Sequence, residues 1–246
     1  MIVFILSERI LNQIRRDRRF FALSVVVPLL IIFLFKIFFD TLPQMPMKLR
    51  YVVPISAFVV HFLSFILSSI ALVQERTRGT LERLFINGVS KWDLILGYAL
   101  AYSFLSTIQS IIVIIELKLL FNIDYSFWKF FQLYLIIWLL AIVSVLLGTF
   151  ISTFAKHEGH VIPFIPLIIV PSVFFTGLLI DYQDLPIWAQ IIGKFYPFHY
   201  AVNILLELVS SNVDYIYIWK NVSMLIFYII FCLFLASLTL KDKDFV

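Results

Sequence analysis

The sequence predicts an all-α fold, a polytopic membrane protein with six transmembrane helices. Of its 246 residues 62% are hydrophobic and 14% charged, and the mean hydropathy is +1.02. Soluble domains are nearer half apolar and a quarter charged, and a chain of this size could not hide so much apolar surface from water. The apolar runs are continuous over about 20 residues, the length a helix needs to cross a bilayer, whereas barrel strands would alternate. Helices also satisfy their own backbone groups in lipid.

The first 19 residues precede any span and have an amphipathic pattern. Val3, Leu6, Ile10 and Ile14 recur at helical spacing, and five arginines lie between or after them. This pattern predicts an N-terminal interfacial helix on the membrane surface, with a short basic anchor as the simpler alternative. We expect the six spans at about 20–39, 52–73, 94–121, 130–155, 161–180 and 216–240. No repeat or linker divides the chain, so 1–246 is interpreted as a single domain.

The positive charges predict the orientation. With the N-terminus inside, 12 of the 19 Lys and Arg residues fall on the inner side, among them all five arginines of the first 19 residues. Cytoplasmic loops carry such an excess. We therefore expect a multi-pass protein of the cell (plasma) membrane with both termini cytoplasmic. The Lys and Asp residues at 241–244 would end the last span.

The segment 74–93, between the second and third spans, carries helix signals of its own. Thr80 is expected to cap a short helix with Glu82 in its first turn, and Gly88 to end it in a left-handed conformation. Leu81 and Leu84 would begin an apolar stripe on one face. The pattern predicts a surface helix between two spans, and the alternative is a solvated basic loop of the positive-inside kind.

The segment 181–215 is apolar but broken by Pro186, Gly193 and Pro197. It is too interrupted for a span. Irregular backbone at membrane depth has to be sheltered by protein. We therefore expect an external re-entrant helical hairpin that enters the outer leaflet.

Both connections resemble a known family. The first reads Glu75-Arg76-x-Arg78-Gly79-Thr80-Leu81-Glu82-Arg83-Leu84, followed by Val89-Ser90-Lys91-Trp92-Asp93-Leu94-Ile95-Leu96-Gly97. The second contains Phe175-x-Gly177, Leu185-Pro186-x-Trp188 and Tyr196-Pro197-x-x-Tyr200-Ala201. In this order they resemble the cytoplasmic loop and the external region of type 2 ABC exporter permeases (the ABC-2-type transmembrane domain family), over roughly residues 20–240. The short 40–51 connection differs from members with a large external domain.

The resemblance implies a permease subunit that pairs with a second permease copy, as a homodimer or a heterodimer, and docks on an ABC ATPase subunit pair. It would move a substrate outward by alternating access. The coupling helix and its surroundings would comprise Glu75, Arg76, Arg78, Gly79, Thr80, Leu81, Glu82, Arg83 and Leu84. The re-entrant region would include Pro186, Trp188, Pro197, His199 and Tyr200. Residues 1–19 would be the connecting helix in the lipid bilayer.

The chain contains no phosphate-binding G-x-x-x-x-G-K-[ST] motif. We therefore expect no cofactor on this chain, no catalytic residue of its own and no nucleic-acid partner, with ATP and Mg bound by the partner ATPase.

Two other function classes stay open at this point. An ATP-independent channel or secondary carrier would need no partner ATPase. An intramembrane hydrolase would use His199, or a metal held near His157 and His160, but no convergent set of ligands is apparent and no metal site is assigned. His61 lies within the second span, where an ionisable group is a functional candidate by default. A neutral histidine bonded to Ser64 or to a neighbouring helix is the alternative.

Overall fold

The computed structural model describes residues 2–41, 48–210 and 212–240, except for the side chains of Arg19 and Lys48. The described residues form ten α-helices and two short 3₁₀ turns, at Glu158–His160 and Tyr182–Asp184. The helices are α1 (Ile2–Arg16), α2 (Arg18–Asp40), α3 (Lys48–Thr77), α4 (Thr80–Ile86), α5 (Lys91–Leu120), α6 (Phe127–Ser152), α7 (Phe164–Phe175), α8 (Ile187–Gly193), α9 (Pro197–Val209) and α10 (Tyr215–Thr239). Most of the 40–51 connection and the charged 241–244 end lie outside the described residues.

Six stretches of the described chain are long and apolar enough to cross a membrane. They are α2, α3, α5, α6, the stretch Glu158–Phe175 and α10, which confirms the predicted number. The fifth span is shorter than the predicted 161–180, because its α-helix covers only Phe164–Phe175. The chain turns at Gly177, whose φ of +92° favours glycine. This turn leads directly into the segment that carries α8 and α9.

The spans alternate in direction, so the connections gather at two ends of the bundle. At the α4 end, Arg76 contacts Thr153 after α6, and Thr153 contacts Thr239 of α10. At the α8–α9 end, an ion pair joins Arg50 of α3 to Asp181. The segment 181–215 therefore lies at the end opposite α4, as the sequence predicted.

Helices α3 and α6 form the centre of the bundle. In the most apolar stretch of each helix, 72% of the residues of α3 and 67% of those of α6 are buried, compared with 17% in α2 and 22% in α10. The two central helices approach closely at Gly148, where a Cβ atom would overlap the Ser68 hydroxyl and the Phe65 carbonyl. Only glycine permits this approach, so the packing of α3 on α6 depends on this position.

Helix α1 buries the predicted apolar stripe of Leu6, Ile10 and Ile14, and the prediction of an amphipathic helix is confirmed. The stripe faces protein, because Leu6 packs directly on Gly97 of α5. A Cβ atom added to Gly97 would lie only 2.9 Å from the Leu6 Cβ. Phe4 and Ile5 remain exposed on another face. Contact of α1 with the membrane surface stays a prediction.

Two prolines inside spans free carbonyl groups that side chains of other segments then satisfy. Pro28 in α2 lacks the N–H that would reach the Ser24 carbonyl four residues earlier. The amide Nε2 of Gln109 in α5 donates to that carbonyl at 3.1 Å, and Gln109 Oε1 accepts from the Ser64 hydroxyl of α3 at 3.2 Å. One buried amide thus joins α2, α3 and α5 and compensates for the proline.

The second case lies in α7, where Pro171 frees the Leu167 carbonyl. The hydroxyl of Tyr196, between α8 and α9, lies 3.4 Å from that carbonyl oxygen and donates to it. Since α7 buries few of its residues, this contact adds a directional link between the helix and the segment that follows it. In lipid a freed carbonyl without such a donor would be costly.

We expect Gly148→Ala to lower the free energy of unfolding by about 1–3 kcal/mol, because the added methyl group overpacks the α3–α6 contact. The matched control is Gly159→Ala, whose Cβ would lie 3.2 Å from the His157 ring on an exposed turn and should change stability by about 0.5 kcal/mol or less. Denaturant unfolding of the purified protein in detergent measures both. Equal effects of the two variants would contradict the close approach.

Candidate coupling site

Helix α4 leaves α3 through a two-residue joint. Gly79 has φ +67° and serves as the N-cap of α4, without a side-chain cap. The prediction that Thr80 caps this helix is therefore wrong. Thr80 is the first helical residue, and its hydroxyl turns back to the Glu75 backbone carbonyl, at 2.9 Å, and to the Glu75 carboxylate. Because the joint is so short, the last turn of α3 places acceptors next to the Thr80 hydroxyl, which donates to them instead of accepting from an N–H group of α4.

The other end of α4 follows the prediction. Gly88 has φ +82°, its N–H donates to the Phe85 carbonyl at 2.9 Å, and the Val89 N–H donates to the Leu84 carbonyl at 3.1 Å. These two bonds form a Schellman motif. Ser90 then caps α5 by accepting from the Asp93 N–H at 3.1 Å. Helix α4 is thus bounded by defined structure at both ends.

Glu75 is the junction at which α4 is fixed to the bundle. It is only 6% exposed. Nη2 of Arg9 in α1 lies 3.1 and 3.0 Å from its two carboxylate oxygens. Beside it a cavity of 90 Å³ separates α1, α3 and α5 and is lined in part by Tyr98, Tyr102 and Asp17. Glu75 therefore acts within the protein, where it links α1 and α4 to the end of α3.

Arg76, the next residue, contacts a different helix. Its guanidinium donates to the carbonyls of Thr153, at 3.4 Å, and Ala155, just beyond α6. The last carbonyls of a helix lack intrahelical partners and carry partial negative charge, so a cation is stabilising there. Glu75 and Arg76 thus connect one end of α3 to α1, α4 and α6.

The apolar face of α4 completes the attachment. Leu81 is 1% exposed and packs in a cluster that contains Ile10 of α1 and Leu94 of α5. Leu84 packs against the same cluster, as the predicted stripe requires. Displacing α4 would expose this apolar surface to water or headgroups, which disfavours its detachment.

The opposite face of α4 is free of these contacts. Glu82 and Arg83 are exposed there, and Ile86 is 84% exposed. Arg78 is exposed too, but it lies in the joint before α4 and lines the cavity beside Glu75. The nine predicted coupling residues therefore divide into internal attachments and an outer surface. The sequence interpretation missed Ile86, although its position off the Leu81–Leu84 stripe of the helical wheel could have marked it.

At the other end of the bundle, α8 packs against the end of α7. A Cβ on Gly193 would overlap the Phe175 carbonyl, and the Trp188 ring meets the Phe175 ring edge-on at 5.5 Å. Pro186 directly precedes α8, and Pro197 opens α9, a position where its missing N–H costs nothing. The predicted helix–break–helix is present, and α9 packs on α3, α6 and α10 as well as on the end of α7.

His199 on α9 has both ring nitrogens engaged. A carbonyl can only accept, so Nδ1, which is 3.3 Å from the Thr176 carbonyl, is the protonated nitrogen. Nε2 then accepts from Nδ2 of Asn203 at 3.1 Å. Burial lowers the pKa of His199 below its ordinary value of 6.5, against the opposing effect of the Thr176 hydrogen bond. This neutral histidine holds α9 to the end of α7, an arrangement unlike that of a general base facing a substrate.

Tyr200, the last predicted re-entrant residue, fixes the break between the helices. Its hydroxyl donates to the Lys194 carbonyl at 3.0 Å, and the Tyr228 hydroxyl of α10 donates to the same oxygen at 3.2 Å. Lys194 follows α8 directly, so this carbonyl is one of those that α8 leaves unpaired. The break is thereby attached to α10.

The remaining histidines take structural positions. His61 Nδ1 lies 2.6 Å from the Ser144 hydroxyl of α6, which itself donates to a carbonyl, and its ring stacks on Phe198 at 5.5 Å. Of the alternatives from sequence, the bond to a neighbouring helix is the one observed. The His157 and His160 rings lie 3.7 Å apart on an exposed turn. Among the described residues no group of three potential metal ligands converges there or elsewhere.

A family profile described as ABC-2 type transporter matches residues 2–209, which include α4 and the α8–α9 segment. The chain belongs to the ABC-2 type transporter family. The resemblance predicted from the two connections is thus confirmed, and six apolar spans make this ABC-2 chain a multi-pass membrane protein.

Named relatives agree with this assignment. ABC transporter G family member 20 of Dictyostelium discoideum is 26% identical over 180 residues, which cover 72% of this chain and 24% of that protein. The probable multidrug ABC transporter permease YbhR of Escherichia coli strain K12 is 20% identical over 180 residues, covering 73% and 48%. The ABC-2 chain therefore spans less than half the length of either relative.

We expect Arg9→Met to lower the free energy of unfolding by about 1–3 kcal/mol, because the Glu75 carboxylate would remain buried without its cationic partner. Adding Glu75→Gln should recover part of the loss, since the unpaired charge is then removed. Lys156→Met, on an exposed turn, is the control and should change little. Denaturant unfolding in detergent measures the wild type, Arg9→Met, Glu75→Gln, the double variant and Lys156→Met. A loss in the double variant equal to the sum of the two single losses would contradict the coupling of this pair.

His199 predicts a pH dependence of stability. The pKa of His199 is lowered in the folded protein. Below about pH 6.5 the unfolded chain therefore binds a proton at this residue more readily than the folded protein does. The stability from the neutral ring is complete above that pH and decreases as the pH falls. We expect the wild type to lose more stability than His199→Gln between pH 7.5 and 5.5 in thermal unfolding. Parallel pH profiles would show that the ring protonates equally in both states.

Proposed function

We propose that this chain is the membrane-spanning permease subunit of an ATP-driven ABC exporter. One observation carries the proposal beyond family membership: α4 is attached to the end of α3 and, through Leu81, to an apolar cluster with α1 and α5, while its other side is exposed. The adjacent end of α3 is joined to α1 by Glu75 and to the end of α6 by Arg76. A helix held in this way can receive a push from a partner and pass it to the spans. YbhR, the probable multidrug permease, supports an exporter as the class.

The partner would be a pair of ABC ATPase subunits that bind ATP and Mg. Their closure would press on the outer face of α4 around Ile86 and Arg83. Glu75 would pass the displacement to α1, and Arg76 would pass it to the end of α6. In a pair with a second permease copy, this movement would open the substrate path alternately to the two sides of the membrane.

This mechanism requires the α4 end to face the cytoplasm of a cell whose plasma membrane holds the protein. The excess of Lys and Arg at the N-terminal side favours that orientation. Both termini would then be cytoplasmic, and the α8–α9 segment would lie at the outer leaflet.

The decisive experiment is Ile86→Ser in the permease–ATPase complex. If Ile86 enters a pocket on the ATPase, the serine variant lacks the apolar side chain that is buried there. ATPase binding should then weaken about tenfold, and substrate-stimulated ATP turnover should fall. Ile216→Ser is the matched control, because Ile216 is also 84% exposed but lies at the opposite end of the bundle. Co-purification and ATP turnover in proteoliposomes measure both variants. Equal behaviour of the two would contradict docking at α4.

Reconstitution tests the proposal against an ATP-independent channel or carrier. Vesicles that contain the permease without any ATPase should show no flux of a substrate driven by its gradient or by a proton gradient. Flux under those conditions, retained in Ile86→Ser, would overturn the exporter mechanism.

A further inference from the structure

A cavity of 390 Å³ lies between α1, the start of α2 and the middle of α5, outside the attachments of α4. We call it the α1–α5 groove. Its floor is apolar and is formed by Leu11, Ile14, Phe21, Phe104, Leu105 and Ile108, and its polar rim by Glu8, Asn12 and Arg15. The groove is thus amphipathic, with a charged edge and an apolar floor.

One end of this edge is basic, because Arg15 lines the groove and Arg16 and Arg18 follow it closely along the chain, whereas Glu8 contributes one negative charge to the same rim. Arg15, Arg16 and Arg18 are all exposed, and none of them forms a salt bridge with any residue in the described ranges. Asp17 lies among them, but its carboxylate caps α2 by accepting from the Phe20 N–H at 3.1 Å. The three arginines lie within four residues and outnumber the nearby carboxylates of Asp17 and Glu8, so the excess positive charge favours an anionic ligand.

The apolar floor of the groove extends along α5 away from the level of these arginines, as the acyl chains of a lipid extend away from its headgroup. Phe20, at the start of α2, meets Tyr102 of α5 edge-on at 6.3 Å, which places the arginine cluster level with that part of α5. At 1.5 Å per residue, Phe104 and Ile108 lie about 3 and 9 Å farther along α5, in the direction that α2 runs. Phe104 is 56% exposed and Phe21 39% exposed, although both belong to spans. The floor therefore continues inward from the cluster along the bilayer.

We propose that the α1–α5 groove binds one anionic glycerophospholipid of the cytoplasmic leaflet. Its phosphate would lie at Arg15, with Arg16 and Arg18 adding to the attraction, and an acyl chain would cover Phe104 and Ile108. Basic pockets beside spans on the cytoplasmic side suit anionic headgroups. The placement in that leaflet rests on the orientation proposed above.

A second copy of this chain is the competing occupant. A two-fold contact through this patch would bring the arginine clusters of the two copies together, which like-charge repulsion disfavours. A lipid phosphate neutralises the same charges, so charge complementarity favours the lipid.

Native mass spectrometry of the purified permease in detergent tests the proposal, with added palmitoyl-oleoyl phosphatidylglycerol or phosphatidylcholine as the probes. We expect the wild type to retain one phosphatidylglycerol in preference to phosphatidylcholine. Arg15→Gln should weaken phosphatidylglycerol binding about fivefold and leave phosphatidylcholine unchanged. Lys156→Gln removes one charge from an exposed turn away from the groove and should have no effect.

Ile108→Trp tests the acyl chain separately, because it fills the floor without changing the charge and should weaken the binding of both lipids. If that variant does not fold, the comparison of Arg15→Gln with Lys156→Gln still decides. Equal lipid retention by those two variants would overturn the proposal. It would also be overturned if the wild type retained no lipid and Arg15→Gln strengthened a dimer of the permease. No ATPase is present, so failure of the exporter mechanism would leave this result unaffected.

Discussion

The buried carboxylate of Glu75 is the interaction on which the α4 end of this bundle depends. It accepts from Arg9 of α1 and from Thr80 of α4, and it lies at the end of α3 itself. A carboxylate that is 6% exposed requires such partners, since burying an unpaired charge is costly. Three helices are therefore held at one point by a polar requirement, and the apolar contacts of Leu81 keep α4 against them.

The same requirement for polar partners explains the prolines. A carbonyl freed by a proline is costly in lipid, so α2 and α7 each depend on a donor from another segment. Gln109 serves α2 and Tyr196 serves α7. Each donor also fixes the position of one segment along another, because a hydrogen bond is directional whereas apolar packing is not. The prolines therefore add specificity to the packing as well as bends to the helices.

The sequence predicted what depends on local pattern. The six spans follow from continuous apolar runs, and the end of α4 follows from Gly88, whose role needs only its near neighbours. The cap at Thr80 was wrong because the competing acceptor belongs to another helix. The partner of His61 lies 83 residues away on α6, and no spacing along the chain encodes that distance. The outer face at Ile86 was not predicted, because Ile86 lies between the two parts of the family signature, which end at Leu84 and resume at Val89.

The contact at Gly148 has a consequence for how such a protein can move. Where two helices touch backbone to side chain without a Cβ between them, they can separate only by losing most of their packing. We therefore expect helices α3 and α6 to move together. In the transport cycle proposed above, relative motion would fall to the helices at the periphery, α2, α7 and α10, which bury little of themselves within the chain.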